Sequence, residues 1–169
     1  MGDIKRRRKQ YSKPRKAYDK TRIEAENEIV QKFGLKKKRE IWKTESKVSA
    51  FRKRAKTLIP RSEDEKKKFF EKLQKIGFKV NSIADVLGLK TEDLLERRLQ
   101  TFVVKKNLAT TMNQARQLIV HKQVFVDGKA VNIPSFTVTT DLENKLSLKP
   151  RKVKAVKETV AVEETEEKE

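Results

Sequence analysis

Apolar positions along this chain recur first with a helical period and then with a strand-like one. Ile23, Val30 and Phe33 fall on one helix face. Thr21-Arg22-Ile23-Glu24 has the form of a capping box, so the pattern predicts a helix over 21–33 with Gly34 as its stop. Ile41, Val48, Ala55 and Leu58, with Trp42 and Phe51 nearby, predict a second helix over 40–59, ended by Pro60. Ser62 to Glu65 is another capping box, before a helix that carries Phe69, Phe70, Leu73 and Ile76 and stops at Gly77. A short helix around Ile83, Val86 and Leu87 ends at Gly88. Thr91 is placed to cap a helix carrying Leu94, Leu95, Leu99, Phe102 and Val103. Thr111 and Gln114 frame a shorter one with Ala115, Leu118 and Ile119.

After His121 the period changes. Residues 124–126 and 129–131 are β-formers flanking Asp127-Gly128, the strongest short hairpin signal in the chain. Residues 136–139 and 145–148 read as further short strands. Beyond Pro150 the apolar pattern is lost. The fold class expected is α+β: a helical N-terminal region with an extended basic arm, then two helices packed on a short β-hairpin sheet. The expected divisions are an arm over 1–20, a helical domain over 21–90, the helix-and-hairpin domain over 91–150 and a charged, disordered tail over 151–169.

Charge sharpens this picture. The 169 residues hold 43 Lys and Arg against 24 Asp and Glu, for a net charge of +19. The first 56 residues carry 21 basic and 7 acidic groups, whereas the last 12 carry 1 and 6. A surplus of this size says little about fold, but it attracts polyanions. In the arm, Arg6, Arg7, Arg8, Lys9 and Arg15 are interleaved with Tyr11 and Tyr18. Aromatic rings among cations can stack on bases while the cations meet phosphates. Lys36, Lys37, Lys38 and Arg39 form a cationic joint between the first two helices. Arg52, Lys53, Arg54 and Lys56 crowd the last turns of the second. Cations there suit the helix dipole, yet four in five residues exceed what the dipole needs, which points to RNA contact. The acidic tail either screens the arm before RNA arrives or simply aids solubility.

The chain has no cysteine and one histidine, His121, which excludes disulfides, thiolate zinc and a histidine metal cluster. No metal or cofactor is expected. No apolar run approaches a membrane span, and no secretory leader is visible, so a soluble, cytoplasmic protein is expected. With 5 glycines and no phosphate-cradling loop, an enzyme is not expected. Asp85, Asp93 and Glu96 read as helix-start charges rather than an acid–base pair. Charge alone leaves a DNA-binding architectural protein open, because phosphate contacts are common to both nucleic acids.

Arg97, Arg98, Arg116, His121 and Lys122 are placed to form a cationic ledge on the C-terminal unit. Spacing alone fits an ordinary solvated face equally well. The residues themselves carry more. Arg97-Arg98-Leu99-Gln100-Thr101, the stretch from Gln114 to His121, Val126-Asp127-Gly128-Lys129 and Ile133-Pro134-Ser135 resemble the S-four RNA-binding domain. With the opening Met1-Gly2-Asp3-Ile4-Lys5-Arg6 and residues 36–42, the chain over about 1–150 resembles the S-four family of small-subunit ribosomal proteins, archaeal and eukaryotic type.

That resemblance implies binding of small-subunit ribosomal RNA at a multi-helix junction and an early place in assembly. It also implies a site near the messenger RNA entry channel and a neighbour, the protein S-five, at an interface that affects decoding accuracy. The ledge residues fall on the family's RNA-facing positions, and residues 6–9 fall where the family inserts into RNA. There are departures. Asp127 stands where Asn is common, and Lys122 where many archaeal members have Gly. The cysteine zinc site of some bacterial members is missing.

Overall fold

The computed structural model describes residues 9–149. The expectations for Arg6, Arg7, Arg8 and the acidic tail therefore lie outside the described residues. Seven α-helices precede a small sheet: α1 Lys20–Phe33, α2 Arg39–Leu58, α3 Glu63–Ile76, α4 Ile83–Gly88, α5 Thr91–Glu96, α6 Leu99–Lys105 and α7 Met112–Val120. Strands β1 Val124–Val126, β2 Lys129–Ala130 and β3 Leu146–Leu148 follow, with a 3-10 turn Thr140–Lys145 ahead of β3. The sheet is antiparallel in the order β2-β1-β3. Phe125 pairs with Ala130 across the hairpin and with Ser147 on the other side. The fold is α+β, as the change of period predicted.

Local chemistry explains most boundaries. Gly34 and Gly77 end α1 and α3 in left-handed backbone, with φ of 56° and 97°. The α1 start is not the expected capping box. The helix begins at Lys20 behind Asp19, and the Thr21 hydroxyl donates to the Asp19 carboxylate at 2.8 Å. A carboxylate at that end already suits the helix dipole. Ser62 precedes α3 but makes no side-chain cap bond; three acidic residues in the first turn serve that end instead. Ser82 and Asp85 form a complete capping box on α4. Thr111 accepts from the Gln114 backbone N–H, while Gln114 reaches back to the Thr110 N–H rather than to Thr111.

The helix expected from Thr91 through Val103 is broken in two. Arg97 and Arg98 leave helical geometry between α5 and α6, and Arg98 pairs with Thr137 in an isolated β-bridge. The Leu99 N–H donates to the Phe136 carbonyl at 2.8 Å, and the Val138 N–H to the Arg97 carbonyl at 2.9 Å. Residues 136–139, expected as a strand, supply these bonds instead.

Three apolar clusters result. One joins α2, α3, α4 and the loop residues Phe78 and Val80. A second joins α6, α7 and the sheet around Leu99, Val103, Ile119 and Val124. Phe33, Leu35, Ile41 and Leu95 form a third that ties α1 and α2 to α5. Gln100 on α6, almost wholly buried, ties the end of α1 to the start of α7. Its amide donates to the Phe33, Gly34 and Met112 carbonyls. A side chain at Gly34 would bring its Cβ to 2.7 Å from the Met112 Cβ.

Candidate nucleic-acid interface

The expected basic residues divide into those held inside the fold and those presented outward. Arg98 is 5 % exposed, and its guanidinium donates to Glu40 Oε2 at 2.5 Å. Arg116 donates to the other oxygen, Oε1, at 3.3 Å. Burial opposes the charge on Glu40, and Arg98, then Arg116, outweigh that penalty. Its carboxyl is held below the usual range. Arg97 is clamped as well. It donates to the Val138 carbonyl at 3.1 Å, pairs with Glu143, and lies 4.7 Å from the Phe102 ring centroid.

Two further cations have internal partners. Arg52 donates to the Leu89 carbonyl at 2.5 Å, so it joins α2 to the end of α4. Lys38 pairs with Glu26 at 3.4 Å. Glu26 is buried, and burial works against its charge. Hydrogen bonds from the Trp42 indole, Arg22 and Lys38 outweigh this and hold its carboxyl below the usual range.

The remaining cations face outward. Lys36, Lys37 and Arg39 are exposed at the α1–α2 joint, as are Lys53 and Arg54 on α2 and Lys9 and Arg15 in the arm. Arg54 lies 5.7 Å from the Phe69 ring, so part of its cationic face is shared with the core. Tyr11 stacks on Trp42 with centroids 6.1 Å apart, between Lys9 and Arg39. The ring that was expected to meet bases thus docks the arm onto α2. Tyr18, at 96 % exposure, is the outward aromatic of the described arm.

Between the α1–α2 joint and α7 lies an open groove of about 460 Å³, lined by Gly34, Leu35, Lys36, Asn113, Arg116, Gln117, Val120 and His121. Arg116 and His121 line it together with Lys36, which comes from a distant part of the sequence. His121 caps α7, and Lys122 follows in left-handed backbone with φ of 56°. The Lys122 and Gln123 N–H groups close the helix end on the Ile119 and Leu118 carbonyls. The turn is therefore the kind that glycine usually supplies, here formed with a lysine whose ammonium is exposed.

Sequence reasoning missed Glu40, Lys43 and Lys47. Their spacing of three and then four residues places them on one face of α2, a signal that was legible but overshadowed by the denser runs beside it. Nothing in the arrangement offers a nucleophile with an adjacent base. What it offers is fixed positive charge of the kind that meets phosphates.

The family model described as S4 domain matches residues 97–144, which span the clamped arginines, α6, α7, the hairpin and the 3-10 turn. Small ribosomal subunit protein uS4 of Picrophilus torridus is 41% identical over 156 residues, covering 87% of this chain and 85% of the relative. Small ribosomal subunit protein uS4 of Saccharolobus islandicus strain L.S.2.15 is 43% identical over 151 residues, covering 85% and 83%. Both are archaeal, in keeping with the type that the sequence resembled. The helices, the small sheet, the outward basic groove and these relatives agree: the chain belongs to the uS4 family of small ribosomal subunit proteins, structural proteins of the ribosome and not enzymes.

Proposed function

We propose that this chain is a structural component of the cytoplasmic small ribosomal subunit that grips small-subunit ribosomal RNA at a multi-helix junction. The observation that carries the reading is the groove where Lys36, Arg116 and His121 converge beside Lys122. A rigid ledge of this kind suits folded RNA, whose base edges are hidden and whose shape and phosphates are what a protein can read. Lys37, Arg39, Lys53 and Arg54 extend the basic face from the α1–α2 joint along α2, Lys38 helps to fix that joint through Glu26, and the arm from Arg6 to Arg15 adds contacts between RNA helices. Arg97, Arg98 and Arg52 act on the RNA by fixing this face, through the internal bonds described above. The working divisions are the arm, 1–20; the helical region, 21–90; the S-four domain, 91–150; and the tail, 151–169. Binding early, the chain nucleates assembly. Near the messenger RNA entry channel it meets S-five and contributes to accuracy there. The acidic tail either screens the arm before RNA arrives or simply aids solubility.

Co-sedimentation of the tagged chain with small subunits, in moderate and then high salt, tests the central claim. Retention through the high-salt step is expected, and release at moderate salt would leave only loose polyanion contact. For the purified chain on a junction fragment, neutralising about 6 to 10 phosphates predicts a loss of roughly three to five decades in affinity between 50 and 200 mM salt. A flat salt dependence would count against phosphate contact altogether.

A further inference from the structure

A second cavity, about 360 Å³, opens between α2 and the loop before the 3-10 turn. Glu40, Lys43, Lys47, Arg98, Arg116 and Ser135 line it. Four cations thus face one carboxylate. Glu40 is already committed to both arginines. Lys43 and Lys47, one turn apart on α2, are exposed and form no ion pair among the described residues. Arg98 and Arg116, two residues of this lining, each carry a buried nitrogen, Nε and Nη1 respectively, with no hydrogen-bond acceptor. Arg98 itself is 5 % exposed, so this is an orphan donor on an almost wholly buried side chain. Buried donors are normally satisfied, and these two belong to side chains that line one cavity with a surplus of positive charge.

We propose that this cavity seats a single phosphate group, held by Lys43, Lys47 and Arg116, with Glu40 as the group that positions the two arginines beforehand. The charge surplus excludes a neutral or cationic occupant. The donors approach from α2, from α7 and from the Ser135 loop, and phosphate oxygens spread out of one plane meet such donors better than a flat carboxylate does. The two halves of the Glu40 bridge are unequal. Arg98 is buried, whereas Arg116 keeps about a quarter of its side chain open to solvent. Arg116 is therefore the arginine that swings from carboxylate toward phosphate while Arg98 keeps Glu40 in place. Arg116 also lines the groove beside His121, so an occupied seat fixes one wall of that groove. That the phosphate is one of an RNA backbone rests on the function proposed above; that the cavity takes a phosphate does not.

The test compares the full chain with K43Q/K47Q, and with K67Q/K68Q on α3 as a control that removes the same charge elsewhere. One arm measures Tm with inorganic phosphate against potassium chloride at equal ionic strength. The other measures the salt dependence of binding to a ribosomal RNA junction fragment. The expected result is a saturating phosphate-dependent rise in Tm that K43Q/K47Q loses, and a log–log salt slope that falls by about one in K43Q/K47Q. A lost slope without a Tm response assigns the phosphate to RNA, and a lost Tm response with an unchanged slope assigns it to free phosphate. K43Q/K47Q matching the wild type in both arms overturns the proposal, as does an equal loss in K67Q/K68Q. Should the wild-type chain not bind the fragment at all, the proposed function fails and the phosphate arm alone decides the seat.

Discussion

Glu40 shows how much one side chain settles here. It anchors Arg98, which is buried, and Arg116, which is half-buried. Removing it leaves cations in the interior with no counter-charge, an arrangement that costs far more than a surface pair returns. Glu40→Gln is expected to lower stability by roughly 3 kcal/mol at pH 7, the low end for a broken buried pair because the carboxylate keeps some contact with water. The pH dependence follows from the depressed folded pKa. The contribution is fully present above the ordinary carboxyl value of 4.5, and it is lost as pH falls through the lower folded value. Urea unfolding of both proteins from pH 7 to pH 3 should therefore show a gap that closes below about pH 4.5. A gap of constant size would mean that the ion pairs are not its source. Lys122 makes the opposite case. It stands at φ 56°, where a β-carbon is strained and glycine is not. Lys122→Gly should stabilise the chain by about 0.5–1 kcal/mol while weakening RNA binding through the lost charge. Opposite signs in the two assays are what distinguish a residue kept for contact from one kept for the turn.

Helix ends and strand turns separate what neighbouring residues can dictate from what they cannot. Gly34, Gly77 and Asp127-Gly128 were legible because a left-handed position restricts the choice of residue strongly. The capping signals were less specific. Thr111 and Ser62 have the same sequence signature, yet only Thr111 accepts a bond from the helix start, at 3.2 Å. Thr111→Ala is accordingly expected to cost about 1 kcal/mol and Ser62→Ala a few tenths, read from thermal or urea midpoints. Equal losses would show that the signature, not the bond, carries the effect. The break between α5 and α6 was illegible for a different reason. Leu94, Leu95, Leu99, Phe102 and Val103 keep helical spacing throughout, and neither glycine nor proline marks the interruption. The partners that pull Arg97 and Arg98 out of the helix are Phe136, Thr137 and Val138, about forty residues later. No local pattern reports a bond of that separation.

The same limit governs the candidate site. Its basic character was plain from charge runs, but which cations face outward depended on Glu40, 58 residues before Arg98, and on Glu143, 46 residues after Arg97. Those two arginines also hold the molecule together. Arg97 spans from the sheet-bearing cluster, at Phe102 and Val138, to the end of α3, where its guanidinium lies against Gly77. Thr140 adds a bond to the Lys75 carbonyl at 3.4 Å beside it. A methyl at Gly77 would run into the guanidinium, on a backbone at φ 97° that already disfavours a side chain. Gly77→Ala should thus cost upward of about 1 kcal/mol from backbone strain alone, plus the loss of the clamp. Arg97→Ala should cost about 1.5–3 kcal/mol through its charged hydrogen bonds. Because both substitutions dismantle one contact, their effects are not expected to add. The double variant should be more stable than the sum of single losses predicts by 0.5 kcal/mol or more, on the order seen for residues in contact. Urea unfolding of the four proteins measures this directly. Additivity within about 0.3 kcal/mol would mean that Arg97 and Gly77 serve the fold independently. The join between the helical and sheet-bearing clusters would then rest on Gln100, the Glu40 bridge and the backbone bonds at Leu99 and Val138 more than on the Arg97–Gly77 contact.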